Sequence, residues 1–154
     1  MHDRLAIHEL LHRWWYSYDE GLFDVWPELF TEDAWFTSRT DRGDHPHEAY
    51  IASDNRGRDK VLAWQREHRV TSPYPLRHNA TNVHVDSEAG EDVSVTSYID
   101  VTHIVNGLPA ALASGVVRAV ARRDDGTYRF AAVHVVLDTV DSAPLGESTG
   151  RPGA

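Results

Sequence analysis

A carboxylate and two histidines lie where they could transfer protons. Asp19 ends the first predicted helix, directly after its apolar stripe, where the helix dipole disfavours a negative charge. That carboxylate is therefore either solvated or held by a cationic or hydrogen-bonding partner. His78 lies on a predicted strand, and His103 lies on the next one among aliphatic side chains, as a satisfied core histidine or a pocket residue. Because histidine titrates near neutral pH, either ring is a candidate general base.

The first half of the chain supplies the helices that must position the carboxylate. Apolar residues at spacings of three and four predict a helix over residues 4–18. A second, short helix is predicted over Val25–Phe30, followed by a strand over Ala34–Thr37. Residues 38–56 are polar and resemble a long loop, of the kind that is often a lid or disordered. A third helix is predicted over Arg58–His68.

The second half of the chain is rich in β-branched and aromatic residues, and turn signals divide it into four long strands. These predicted strands are Arg77–Asp86, Val93–Val105, Ala110–Arg123 and Tyr128–Asp138. Consecutive strands with tight turns favour an antiparallel meander, and helices gathered on one side of it define the α+β class. We expect one domain over residues 1–140 and a flexible tail over residues 141–154, which are rich in Ser, Gly and Pro.

Composition excludes several classes of function. The net charge is −9, and no cluster of Lys or Arg offers a face for nucleic acid or for an anionic membrane. The absence of cysteine excludes disulfides, thiolate nucleophiles and Cys-based metal sites. No apolar signal core follows the N-terminus, so we expect a cytoplasmic protein.

Two histidine pairs have spacings that invite a metal interpretation. His8 and His12 lie one turn apart on the first helix, and His45 and His47 lie in the polar loop. Neither pair has the third ligand that a site requires, so a solvated surface is the preferred interpretation of both. We expect no metal and no cofactor.

Three segments together resemble the NTF2-like superfamily, and within it the SnoaL-like branch that includes scytalone dehydratase. They are Trp14–Asp19 with the Glu20-Gly21 that follows, Gly57–Val61, and the His-bearing string Arg77–Asn82. The resemblance covers about residues 4–138. It implies a cone-shaped, cystatin-like α+β fold, in which three N-terminal helices pack on a strongly curved, mostly antiparallel sheet and enclose a pocket.

The resemblance also implies roles for individual residues. In those lyases a helix-end Asp and a strand His form the catalytic pair, and Asp19 and His78 fall on these positions. Tyr18 falls on a substrate-side tyrosine and His103 on a second histidine. An ionised Asp bonded to one ring nitrogen fixes the His tautomer and stabilises the imidazolium that forms when the ring takes a proton. The alternative is a structural Asp–His bond that ties helix to sheet.

Three further side chains are predicted to contact a substrate. Trp14 and Trp35 supply aromatic surface for a pocket, and Asn82 could donate to a substrate oxygen. For each of these residues, packing or satisfaction of the backbone is the structural alternative.

The sequence also departs from the dehydratase pattern. Where that enzyme has a second tyrosine this chain has Ser38, and its later polar pair is replaced by Gly115 and Val117. These departures count against scytalone as the substrate and leave the Asp–His pair intact.

Two classes of function are compatible with these residues. The first is a cofactor-independent lyase or isomerase that removes a proton from a small apolar or aromatic molecule, with cyclisation of a polyketide-like intermediate as a related possibility. The second is a non-catalytic subunit that resembles the β-subunits of ring-hydroxylating oxygenases, which would have a pocket filled by side chains. The resemblance further implies a homodimer or homotrimer.

Overall fold

The computed structural model describes residues 1–147. Its main helical segments all lie in the first half of the chain. They are α1 (Arg4–Asp19), a 3-10 helix (Phe23–Glu28), α2 (Glu48–Ile51) and α3 (Arg58–Thr71). No helix in these 147 residues is long and apolar enough to cross a membrane.

Six strands form one curved sheet that does not close on itself. They are β1 (Phe30–Thr40), β2 (Ser53–Arg56), β3 (Leu76–Ala89), β4 (Asp92–Val105), β5 (Leu108–Asp124) and β6 (Thr127–Leu137). The order across the sheet is β2-β1-β6-β5-β4-β3. Every neighbouring pair is antiparallel except β1 with β6, which are parallel. The prediction of an α+β fold with a mostly antiparallel sheet is confirmed.

Helix α1 begins where the sequence provides a cap and ends at the candidate site. Oδ1 of Asp3 accepts the backbone N–H of Ala6 at 3.1 Å, which satisfies one of the free donors of the first turn. The stripe that includes Leu11 and Trp14 is buried against the concave face of the sheet. Burying this stripe fixes the rotation of α1 and so turns Asp19, at its last position, toward β3.

The segment between α1 and α3 differs from its prediction. The second helix is a 3-10 helix that ends at Glu28, and β1 is far longer than the predicted four residues. The predicted loop 38–56 is mostly ordered: β1 continues to Thr40, and α2 and β2 follow. Strand β2 was not predicted because its residues are polar. An edge strand with one side open to solvent needs no alternation of apolar residues. The four long strands extend one to three residues beyond most of their predicted ends.

The end of the chain is only partly described. Residues 141–147 are exposed and include a 3-10 turn, Leu145–Glu147. The remainder of the predicted tail, residues 148–154, lies outside the described residues.

Candidate active site

Asp19 and His78 form a hydrogen-bonded pair between α1 and β3. Nδ1 of His78 lies 2.6 Å from Oδ1 of Asp19, and the backbone N–H of His78 donates to Oδ2 at 2.8 Å. Both side chains are largely buried, with 11% of His78 and 6% of Asp19 exposed. Because a carboxylate can only accept, Nδ1 carries the hydrogen and Nε2 is the basic nitrogen. Within residues 1–147 no group is hydrogen-bonded to that Nε2.

Arg69 holds the end of α1 that carries the carboxylate. Its buried guanidinium donates from Nε to the carbonyl of Tyr18 at 2.9 Å and from Nη2 to the carbonyl of Asp19 at 2.7 Å. Nη1 donates to the carbonyl of Pro73 at 3.2 Å. A cation at a helix C-terminus offsets the dipole there. Arg69 therefore stabilises the backbone beneath Asp19, while the carboxylate itself is free to face His78.

Aromatic rings fix the orientation of the His78 imidazole. Trp15 stacks on it with ring centroids 4.3 Å apart and an interplanar angle of 3°. Tyr18 meets it edge-on, at 5.3 Å and 88°. The indole face of Trp15 is electron-rich, so this stack also favours the imidazolium that forms when His78 is protonated.

His78 lies in the wall of a mainly apolar cavity of about 380 Å³, and Asp19, which does not line the cavity, holds it from behind. Helices α1 and α3 line one side of the cavity, and the concave face of the sheet lines the other. Tyr50 and Leu112 line it as well and are 44% and 39% exposed, so they mark its mouth. A cavity of this size accommodates a small, largely apolar molecule.

A second hydrogen-bonded pair, Tyr18 and His68, lies in the same wall. The Tyr18 hydroxyl oxygen is 2.6 Å from Nδ1 of His68. The His68 ring stacks on Trp64 at 4.9 Å with an interplanar angle of 15°, and Tyr50 packs against it at 4.7 Å. The family resemblance implies a substrate-side position for Tyr18 and no role for His68.

Burial keeps both members of this second pair neutral. It raises the pKa of Tyr18 well above its ordinary value of 10. It also lowers the pKa of His68 to about 4. At pH 7 the pair therefore carries no charge and can exchange only hydrogen bonds.

Titration of His68 predicts a specific loss of stability in acid. The folded-state pKa lies below the ordinary value of 6.5, so the unfolded chain binds a proton first as the pH falls. The contribution of His68 is complete above pH 6.5 and is lost as the pH falls toward 4. Between pH 7 and pH 4.5, the free energy of unfolding should fall about 1–2 kcal/mol more in the wild type than in His68→Phe, a value discounted for partial exposure.

Urea denaturation of both proteins at the two pH values measures this difference. The other titrating groups are common to both proteins and largely cancel. Equal pH dependence in the wild type and the variant would contradict a buried neutral His68.

Trp14 also lines the cavity, with its indole N–H donating to Oε1 of Gln65 at 3.0 Å. Three other residues predicted to contact substrate, Trp35, Asn82 and His103, do not line this cavity. Trp35 is on the opposite sheet face from its neighbour Phe36, because successive strand side chains alternate, and it packs under Arg56 instead.

His103 and Asn82 are outside the cavity for different reasons. His103 follows Val101, the last residue of β4 that lines the cavity, and is partly exposed near the strand end. Asn82 is exposed in a β-bulge between Thr81 and His84, with φ +52°, so the regular alternation assumed for β3 fails there.

The polar residues that α3 contributes to the site were not predicted, although the sequence contains a signal for them. The buried face of α3 consists of residues spaced four apart: Val61, Gln65 and Arg69. Two of these three buried side chains are polar. Polar residues at buried helix positions need partners inside the protein. This pattern, with His68 beside it, would have indicated a polar site facing α3.

The departures from the dehydratase pattern also have structural explanations. Ser38 does line the cavity, but its hydroxyl donates to the carbonyl of Ile51 and so ties α2 to β1. Gly115 has no room for a Cβ, because the carbonyl oxygen of Val136 lies against it. A polar side chain at that position would require the backbone of β6 to move.

The fold is the cystatin-like, or NTF2-like, fold, as similar solved structures show. A protein of unknown function from Nostoc punctiforme has a TM-score of 0.72 at 18% identity, covering 93% of this chain and 95% of that one. ActVI-ORFA from Streptomyces coelicolor has a TM-score of 0.71 at 19% identity, covering 89% and 98%. The beta subunit of benzoate 1,2-dioxygenase from Burkholderia mallei has a TM-score of 0.67 at 19% identity, covering 89% and 91%. These identities establish a shared fold alone.

The chain can also be assigned to one family within this fold. The model of the SnoaL-like domain matches residues 1–134, so the chain belongs to the SnoaL-like family. No curated protein matches the chain. The resemblance noted in the sequence is thereby confirmed, while the reaction stays a proposal.

Proposed function

We propose that this protein is a cofactor-independent lyase or isomerase in which His78 removes a proton from carbon. The observation that carries the proposal is the 2.6 Å contact of Asp19 with His78, whose side chain lines an apolar cavity. Asp19 accepts the Nδ1 hydrogen, so Nε2 presents its lone pair as the base. When Nε2 takes the proton, the carboxylate and the stacked Trp15 stabilise the imidazolium.

The cavity supports a substrate that is mostly apolar or aromatic. Its wall is largely apolar and includes Phe36, Ile99 and Val135. The polar residues that line it are Tyr18, Ser38, His47, Tyr50, Gln65, His68, Thr71, Ser72 and His78. Exclusion of water from such a wall strengthens the electrostatic interactions of the base with its partners. Proton removal requires an activating group next to the carbon, and loss of a leaving group or return of the proton elsewhere would complete elimination or isomerisation. Cyclisation would begin with the same carbanion.

A structural role like that of a dioxygenase beta subunit is the second candidate, and the fold likeness is what favours it. That role predicts a centre filled by side chains. A cavity of about 380 Å³ beside an intact Asp–His pair supports the enzyme instead.

Hydrogen exchange in D2O tests the proposed proton removal without knowledge of the natural substrate. A panel of small aromatic ketones is incubated with the protein, and loss of the α-hydrogen signal is followed by NMR. We expect exchange with at least one ketone to exceed the buffer rate about 1000-fold or more, within the range of a positioned general base. Exchange at the buffer rate for the whole panel would contradict the proposal.

A pair of variants shows whether this exchange occurs in the cavity. Leu112→Trp narrows the mouth, and Leu108→Trp adds the same bulk at an exposed position that does not line the cavity. The first substitution should lower the exchange rate about ten-fold and the second less than two-fold, since positioning is lost only when entry is obstructed. Equal rates in both variants would place the reaction outside the cavity.

A further inference from the structure

The side-chain amide of Gln65 has an orientation that its neighbour Trp14 determines. Gln65 lies on α3, is 1% exposed and lines the cavity. Its Oε1 lies 3.0 Å from the indole Nε1 of Trp14, and an indole N–H can only donate. The amide oxygen therefore faces Trp14, and the NH2 group, which also can only donate, is left for another partner.

That NH2 group has no partner in the described part of the chain. Nε2 of Gln65 is buried, and within residues 1–147 it is hydrogen-bonded to no other group. Trp15, which also lines the cavity, has a buried indole nitrogen in the same condition, while the unpaired Nε2 of His68 donates or accepts according to its tautomer. Buried donors without an acceptor are costly and rare. Two such donors in one cavity wall indicate a ligand that supplies acceptor atoms.

The Gln65 amide and the proposed base lie at different levels of the cavity. Along α1, Trp14 precedes Asp19, the partner of His78, by about 7.5 Å. Along α3, Gln65 precedes Arg69, which donates to the carbonyl of Asp19, by about 6 Å. The two helices agree, so the amide and the base are separated by about 6–8 Å along the helix axes.

Of these two levels, that of Gln65 is farther from the mouth. The mouth is marked by Tyr50, whose hydroxyl oxygen is 2.9 Å from that of Ser72, the residue directly after α3. Gln65 lies on the other side of Arg69 from Ser72 along this helix. A molecule that enters at Tyr50 therefore reaches the level of the base first and that of Gln65 last.

We propose that Gln65 is a specificity-determining residue whose NH2 group donates to an oxygen at the inner end of the substrate. The inference rests on the proposed function and narrows its substrate class to small aromatic compounds with two oxygen functions. One of them activates the carbon next to His78. The other is an acceptor without a hydrogen, such as a second carbonyl, at the opposite end of the ring. A hydroxyl there is disfavoured, because Oε1 of Gln65 faces Trp14 and offers no acceptor to the hydroxyl hydrogen.

Three ligands that differ only at one end of the molecule test this preference. They are 1,4-diacetylbenzene, 4-(1-hydroxyethyl)acetophenone and 4-isopropylacetophenone, which share one acetyl group and carry a carbonyl, a hydroxyl or an alkyl group opposite to it. Isothermal titration calorimetry gives their dissociation constants and requires no turnover. The measured quantity is the ratio of the dissociation constants of the isopropyl and diacetyl ligands. Comparing this ratio between proteins cancels the difference in hydration of the two ligands.

Gln65→Met keeps an unbranched buried side chain and removes the donor. It should lower the ratio about ten-fold, as expected when one buried carbonyl loses its hydrogen bond. Thr71→Val is the matched control, because Thr71 also lines the cavity but its hydroxyl donates to the carbonyls of Glu67 and His68. This control should change the ratio less than two-fold. An unchanged ratio in Gln65→Met, or failure of the wild type to bind any of the three ligands, would overturn the inference.

Trp14→Phe tests the orientation of the amide. Without the indole N–H the amide can rotate and present either its oxygen or its NH2 group, so it can serve a hydroxyl as well as a carbonyl. The discrimination between the diacetyl and hydroxyethyl ligands should therefore fall about five-fold relative to the wild type. The isopropyl ligand, which has no hydrogen-bonding group at that end, reports any change in the shape of the cavity. Unchanged discrimination in Trp14→Phe would overturn the assigned orientation.

The two proposals can fail separately. A preference for the diacetyl ligand that depends on Gln65, without ketone hydrogen exchange, would retain the inner donor and reject His78 as the base. Ketone exchange with no dependence of binding on Gln65 would retain the base and reject the role of Gln65.

Discussion

Replacement of His78 by asparagine is expected to lower the rate of ketone hydrogen exchange about 1000-fold, within the range for loss of a positioned general base. Asparagine is chosen because its amide can occupy the place of Nδ1 and donate to Asp19, which preserves the buried contact while Nε2 disappears. The free energy of unfolding should therefore change by about 1 kcal/mol or less. NMR exchange rates and urea denaturation measure the two effects independently.

Asp19→Asn is expected to produce a loss of similar size by a different route. The amide oxygen can still accept the backbone N–H of His78, so the connection between α1 and β3 survives. If the amide nitrogen faces the imidazole it donates to Nδ1, which moves the ring hydrogen to Nε2 and removes the base. We expect a fall in rate of about 1000-fold, since an intact geometry with the wrong tautomer is inactive.

His103→Asn is the matched control for both variants. The family pattern assigns this histidine a role, but it lies outside the cavity of this chain. Its replacement should change the exchange rate less than two-fold. If His103→Asn and His78→Asn were equally impaired, or if His78→Asn kept the wild-type rate, the assignment of His78 as base would be wrong.

The Asp19–His78 contact could be predicted because each residue occupies a position that local pattern defines. The apolar periodicity predicts that the first helix ends at Asp19, and β-propensity predicts that His78 lies near the start of a strand. The order of these elements then resembles one known fold, which supplies the long-range approach that local patterns cannot. The 2.6 Å distance itself depends on the packing of α1 on the sheet and is visible only in the structure.

Which face of the sheet a strand residue occupies could not be predicted in the same way, because bulges change the alternation of side chains. A bulge near Asn82 breaks alternation in β3, and Trp35 lies one residue out of phase with the cavity-lining Phe36. A shift of one residue moves a strand side chain to the opposite face, so small local irregularities reverse such assignments. His68 was missed because its role requires Tyr18, fifty positions earlier, as a partner.

Removal of the Arg69 guanidinium is the substitution expected to cost the most stability. Arg69→Met keeps much of the buried stem but removes the guanidinium donor from the carbonyls of Tyr18, Asp19 and Pro73, of which Tyr18 still accepts the backbone N–H of Gly21. Each carbonyl that loses a charged donor inside the protein costs about 1–3 kcal/mol, partly recovered by relaxation. We expect the free energy of unfolding to fall by about 3 kcal/mol, as measured by urea denaturation at pH 7.

The consequence for the site follows from the geometry that Arg69 fixes. Without the guanidinium the last turn of α1 loosens, and Asp19 no longer holds His78 in one orientation, so exchange should fall about ten-fold even where the variant is fully folded. Arg69→Lys restores a charge but not the planar fork that reaches several carbonyls at once, and should recover only part of the stability. Lys60→Met, which removes an exposed cation from the same helix, should cost less than about 0.5 kcal/mol. If Arg69→Met were no more destabilising than Lys60→Met, the guanidinium would not be what supports the end of α1 that carries Asp19.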